Sequence, residues 1–144
     1  MSRHASRERA LQTLFQMDVN DMDSESAIAA AQTLLEEAAY DVALYRQLVG
    51  GVLAHRQWLD ESLVRFSEDW EVERMSGVDR NILRIALYEL AWQPDLPHAI
   101  VMDEAVELCK EYATEHSARF VNGVLAGVVR DIERLRQEAT NQSP

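Results

Sequence analysis

Asp103, Glu104, Glu107 and Glu111 fall on one side of a segment with helical periodicity, and paired carboxylates of this kind can bind a metal or transfer protons. Carboxylate metal sites in helical bundles draw on Glu-x-x-His on two helices, and the chain contains no Glu-x-x-His. The expectation is therefore a solvated acidic face. His4, His55, His98 and His116 lie in four separate segments without ligand spacing, and Cys109 falls on an apolar stripe, so none reads as a metal ligand. With no strand expected, no glycine-rich loop follows one to cradle a phosphate. No catalytic constellation, metal set or cofactor site is found.

Two stretches carry a different chemistry. In Ser117-Ala118-Arg119-Phe120-Val121-Asn122-Gly123, a serine-capped helix start would offer free amides to an anion. Arg119 and Phe120 in its first turn could hold a phosphate and stack on a base. The competing reading makes Phe120 a core residue, and periodicity does not separate the two. Gly123 and Gly127 form a GxxxG pattern best read as tight helix packing. The second stretch is the N-terminus: residues 1–17 carry Arg3, Arg7 and Arg9 against Glu8, with His4 beside them, whereas residues 18–45 carry seven carboxylates and no lysine or arginine. Such an asymmetry suits one modest anion contact on an acidic body. The alternative is that these arginines are merely solvated.

The elements that must position these groups are helices. Val78–Ala91 has apolar residues at 78, 82, 85 and 86 and again at 83, 87, 90 and 91, two adjoining stripes that demand wrapping by other helices. Asp79, Arg80, Arg84 and Glu89 leave one charged strip for water or a partner, and Pro94 and Pro97 end the helix. Before it, the spacing predicts a helix from Ser2 or Ser6 to Val19, one capped by Ser24 and running to Ala38, and a long one from Asp41 to Phe66 with Gly50-Gly51 in close approach to a neighbour. A short helical turn is expected around Trp70. After it come a helix over 101–113 and a last one from a Ser117 cap to Arg136, followed by a polar frayed tail. No segment alternates with period two, so the fold class is all-α, a compact helical bundle.

A chain of 144 residues is about one domain long. Its formal net charge of -11 argues against a protein that holds nucleic acid through its overall field. No apolar run reaches 18 residues and no signal peptide is visible; with the lone Cys109 this reads as a cytoplasmic protein, with no membrane partner.

Taken in order, several motifs resemble the NusB family of bacterial transcription antitermination factors. They are Arg7-Glu8-x-Ala10-Leu11-Gln12-x-Leu14-Phe15, Trp70-x-x-x-Arg74 leading into Val78-Asp79-Arg80-x-Ile82-Leu83-Arg84-x-Ala86-x-Tyr88-Glu89-Leu90, then Pro97, Asp103-Glu104-Ala105-Val106-Glu107-Leu108, and Phe120-Val121-Asn122-Gly123-Val124-Leu125. The resemblance covers nearly the whole chain. It implies one domain over 1–136, made of two helical subdomains (1–67 and 68–136), with a flexible tail over 137–144. It also implies a non-enzymatic role: binding of boxA RNA as a heterodimer with NusE, a small-subunit ribosomal protein, within the transcription complex that makes ribosomal RNA. By position, the RNA-facing residues would be Arg3, His4, Arg7, Phe15, Tyr112, Ser117, Arg119 and Phe120, and the NusE-facing residue Asp79. Asp103 stands where the family usually has Asn, which bears on a local cap. Two alternatives are a homodimeric helical scaffold and an RNA-binding domain like those of ribosomal RNA cytosine methyltransferases.

Overall fold

The computed structural model describes residues 2–23, 25–29, 39–67 and 75–142. Its named elements are α1 (Arg3–Val19), α2 (Val42–Ala54), α3 (Arg56–Phe66), α4 (Gly77–Trp92), α5 (His98–Tyr112), α6 (Glu115–Arg130) and α7 (Ile132–Thr140). Residues 25–29 are also helical. Among the described residues the one β feature is an isolated bridge between Ser2 and Tyr40. The expected cap Ser24, the stretch 30–38 and the turn around Trp70 lie outside the described residues.

The expectation of a central spine holds. Every residue of α4 from Asn81 to Ala91 is buried, and α4 packs against each of the other six named helices. Ser76 caps it by accepting a hydrogen bond from the Asp79 amide, a contact typically contributing about 1 kcal/mol. Ser2 and Asp41 cap α1 and α2 in the same way. Buried side chains from Ala10 to Ala139 form a single hydrophobic cluster, so both halves of the chain share one core around α4.

Four local expectations change. The long helix expected over 41–66 breaks at His55 (φ -115°, ψ 17°), whose ring stacks on Trp92 with centroids 4.2 Å apart. The last helix starts earlier than expected: Thr114, not Ser117, is its cap. That helix also breaks at Asp131 (φ -114°, ψ 20°). Finally, the polar segment expected to fray from Gln137 continues as helix to Thr140, because Ala139 is buried and the Glu138 carboxylate accepts hydrogen bonds from Arg65 and Trp58.

The glycine pairs divide. A Cβ on Gly51 would lie 2.2 Å from the Tyr88 ring, and one on Gly127 would lie 3.3 Å from Phe66, so these two positions are small because a neighbour is close. Gly50 and Gly123 face open space among the described residues, with none of their atoms within 4 Å of a Cβ.

Candidate functional site

The N-terminal residues expected to form a basic arm are the first turns of α1, and they turn inward. Arg7 is 2 % exposed and donates two hydrogen bonds of 2.8 Å to the two carboxylate oxygens of Glu89, itself 1 % exposed. Arg7 is thus committed to α4, buried where an exposed basic arm was expected. Arg9 is also buried, with its guanidinium 4.1 Å from the centroid of the Tyr40 ring. Arg3 alone of the three stays exposed.

His4 is half-buried and meets two carboxylates: Nδ1 lies 2.7 Å from Glu104 and Nε2 lies 2.7 Å from Glu111. While Glu104 and Glu111 are both ionised they only accept, so both ring nitrogens then donate, as an imidazolium does. Burial pulls the His4 pKa down, but the hydrogen bonds and charges of Glu104 and Glu111 outweigh it and leave it raised. Burial likewise raises the Glu111 pKa; His4 opposes this and Glu8 reinforces it. Tyr112 closes the cluster by donating its hydroxyl to Glu8, and burial followed by that carboxylate pushes the Tyr112 pKa up. The carboxylate face expected to be solvated therefore has two members, Glu104 and Glu111, engaged with α1. His4, Glu8 and Glu111 place donor atoms within 4.8 Å of one another, and these are the side chains that could hold a cation. In this structure they are satisfied by each other and by Tyr112.

The charged strip of α4 is mostly internal as well. Asp18 accepts from Arg80, Asn81 and Arg84 at 2.6, 3.0 and 3.1 Å, and Arg84 also donates twice to Asp60. Burial raises the Asp18 pKa, but Arg80, Asn81 and Arg84 overcome it and hold it below the ordinary carboxylate range. Asp79 differs. It is half-buried in the first turn of α4, and its Oδ1 has no hydrogen-bond partner among the described residues. Beside it, burial and then the Asp79 charge push the Cys109 thiol up to about 12. Phe15 is half-buried against the start of the same helix, where its ring would lie 3.1 Å from a Cβ on Gly77.

At the start of α6 the Ser117 amide donates to Thr114 Oγ1 at 3.0 Å. That amide is spent on the cap, and Glu115 adds negative charge to the first turn, so the helix start is not the anion cradle expected of Ser117. Asp103 is exposed in the body of α5 and caps nothing. Arg119 is exposed and Phe120 half-buried. Both line an open cleft of about 280 Å³ with Phe66, Ser67, Gly123 and Val124. Phe120 thus has one side on the core and another on the cleft, which reconciles the two readings that periodicity left open. Glu89 was expected on a charged strip open to water or a partner and Glu8 only as a charge beside the arm, while Phe66 and Ser67 were not singled out as site residues. Phe66 could have been, as the final apolar residue of its stripe.

The NusB family model matches residues 4–130. The transcription antitermination protein NusB of Desulforudis audaxviator is 44% identical over 138 residues, covering 96% of this chain and all of that protein. Its namesake in Bacillus subtilis is 43% identical over 134 residues, covering 93% of this chain and 99% of that protein. Among solved structures, NusB of T. maritima superposes with a TM-score of 0.75 at 33% identity, covering 96% and 92% of the two chains. A structure of NusB and NusE with double-stranded RNA gives 0.78 at 24% identity, with 89% and 96% covered.

Proposed function

The chain belongs to the NusB family, and from that premise we propose that it is an RNA-binding transcription antitermination factor, not an enzyme, which binds boxA RNA as a heterodimer with NusE and supports ribosomal RNA synthesis. The observation that carries this reading within the chain is the cleft at the start of α6. A half-buried aromatic ring, Phe120, borders it next to Arg119, which forms no ion pair among the described residues.

An unpaired base entering this cleft stacks on Phe120, a contact worth roughly 1–3 kcal/mol per base. Arg119 neutralises the adjoining phosphate, and Arg3 supplies a second cation from α1. His4 and Tyr112 act as positioning groups: through Glu8, Glu104 and Glu111 they fix the first turn of α1 on α5. Phe15 offers the remainder of its half-buried ring near the start of α4. Asp79, half-buried in the first turn of α4, is the acidic group offered to a basic partner such as NusE. Two phosphate contacts give a salt slope of only about -1.4, from roughly -0.7 each. Such weak electrostatics explains why an acidic chain would need a second, basic polypeptide to hold RNA.

The test is co-purification with NusE followed by titration of the pair against boxA and a scrambled RNA by fluorescence anisotropy. The expected result is preference for boxA, lost several-fold in Phe120→Ala with helicity retained. Equal binding of both RNAs, or an unaltered affinity in the folded variant, overturns the reading.

A further inference from the structure

Beyond the cleft, α6 shows an outward strip at i, i+4, i+7 and i+11: Arg119, Gly123, Ala126 and Arg130. This spacing places the four residues within one narrow face. Arg119, Gly123 and Arg130 are exposed and Ala126 half-buried. The strip spans about 16 Å at 1.5 Å per residue. Neither arginine forms an ion pair among the described residues, whereas Arg7, Arg56, Arg65, Arg80, Arg84, Arg134 and Arg136 all lie against carboxylates.

Gly123 supplies an independent observation. A glycine inside a helix costs about 1 kcal/mol relative to alanine. At Gly51 and Gly127 a neighbouring ring fills the space a side chain would take, but at Gly123 nothing among the described residues does. Internal packing therefore does not account for the missing side chain at Gly123 any more than at Gly50; what sets Gly123 apart is its place between two exposed arginines and at the edge of the cleft. Gly123 and Arg119 border both the strip and the Phe120 cleft, so whatever enters the cleft is led directly onto the strip.

We infer that the outer face of α6 is a second RNA-binding segment, on which the single strand leaving the Phe120 cleft lays its sugar-phosphate backbone over Gly123 and Ala126 and ends at Arg130. This rests on the proposed function and extends it: the cleft takes a base, and the strip takes flanking phosphates without reading sequence. Charge complementarity favours the polyanion, because the strip's ends are two exposed cations that form no ion pair among the described residues. A bare helical floor between them admits a broad ribose-phosphate chain that a longer side chain would lift away.

The experiment uses the heterodimer with NusE and two RNAs, boxA alone and boxA extended by uridines at both ends. The wild-type pair binds the extended RNA more tightly. Arg130→Ala abolishes that advantage several-fold while leaving the affinity for the short RNA unaltered, and it lowers the salt slope on the extended RNA by about 0.7. Gly123→Gln, whose Cβ meets no described atom, weakens binding of the extended RNA with helicity intact. Arg134→Ala, which removes a cation already paired with Asp131, has no effect. The inference is overturned if Arg130→Ala and Gly123→Gln bind the extended RNA as the wild type does, while the boxA preference stands. It is also overturned if Gly123→Gln weakens association with NusE in the absence of RNA, which would make the strip a protein-binding face. A wild-type pair that binds neither RNA removes the functional reading as well.

Discussion

Replacing Arg7 by methionine should unfold the protein partway, not disarm it. The guanidinium is 2 % exposed and its two hydrogen bonds run to a carboxylate that is 1 % exposed, so deletion leaves the Glu89 charge buried with no counter-ion. Breaking one side of such a pair costs about 3–5 kcal/mol, against a total stability of about 5–15 kcal/mol for a domain. For a chain near 150 residues each kcal/mol moves the melting point by roughly 2–4 °C, so a fall on the order of 6–20 °C is expected. The Arg7 guanidinium also lies 3.8 Å from Glu104, which adds to the loss.

The second half of the cycle is more discriminating. Arg7→Met combined with Glu89→Met removes both charges and their desolvation together, and an apolar pair of similar volume in place of a buried ion pair is often neutral or stabilising. The double variant should recover most of the lost stability in urea denaturation followed by circular dichroism. Its RNA affinity with NusE should equal that of the wild type. A single variant that melts within a degree of the wild type, yet binds boxA many times more weakly, would refute this and return Arg7 to the RNA surface.

Other outcomes follow from the same geometry. Gly51→Ala drives a Cβ into the Tyr88 ring and should destabilise by about 1–3 kcal/mol, while Gly50→Ala, facing open space, should stabilise by about 0.5–1 kcal/mol; similar denaturation midpoints for the two would contradict the packing. Asp79→Lys should lower NusE affinity in calorimetry with helicity unchanged, and equal binding would place the partner elsewhere. For His4 the folded pKa is raised, so its contribution is fully present below the unfolded value near 6.5 and is lost as pH rises through the folded value. The stability gap between the wild type and His4→Gln should accordingly be widest in mildly acidic buffer and narrow above the folded pKa; a gap that widens with pH would mean the imidazole is neutral in the native state.

The α4 spine was legible because its apolar residues occupy two adjoining stripes, a pattern only enclosure satisfies. The same pattern carried an unread consequence. Once eleven consecutive residues are buried, Arg84 and Glu89 have no wet side left and must find buried partners. Those partners are Asp18 and Asp60 for Arg84, and Arg7, 82 residues away, for Glu89, and no local periodicity encodes a pairing at that separation. The helix breaks at His55 and Asp131 were hidden for a related reason. Neither position carries glycine or proline, and the kink at His55 accompanies a tertiary contact, its stack on Trp92.

The site was legible in part. Arg119 and Phe120 were singled out because a cationic and an aromatic residue open a helix together, and the structure places both on one cleft. Arg7, His4 and Ser117 were read as available because their types can bind anions, but availability depends on what else claims the same atoms: Glu89, the Glu104–Glu111 pair and the Thr114 cap claim them first. Composition hides this partition. Arg7, Arg80 and Arg84 are spent on internal carboxylates and Arg9 on the Tyr40 ring, so few cations are left for a polyanion, among them Arg119 and Arg130 on one helix face. On the proposed function, a protein built this way would contact RNA through shape and stacking in a small area, and its RNA affinity should vary far less with salt than that of a basic RNA-binding domain.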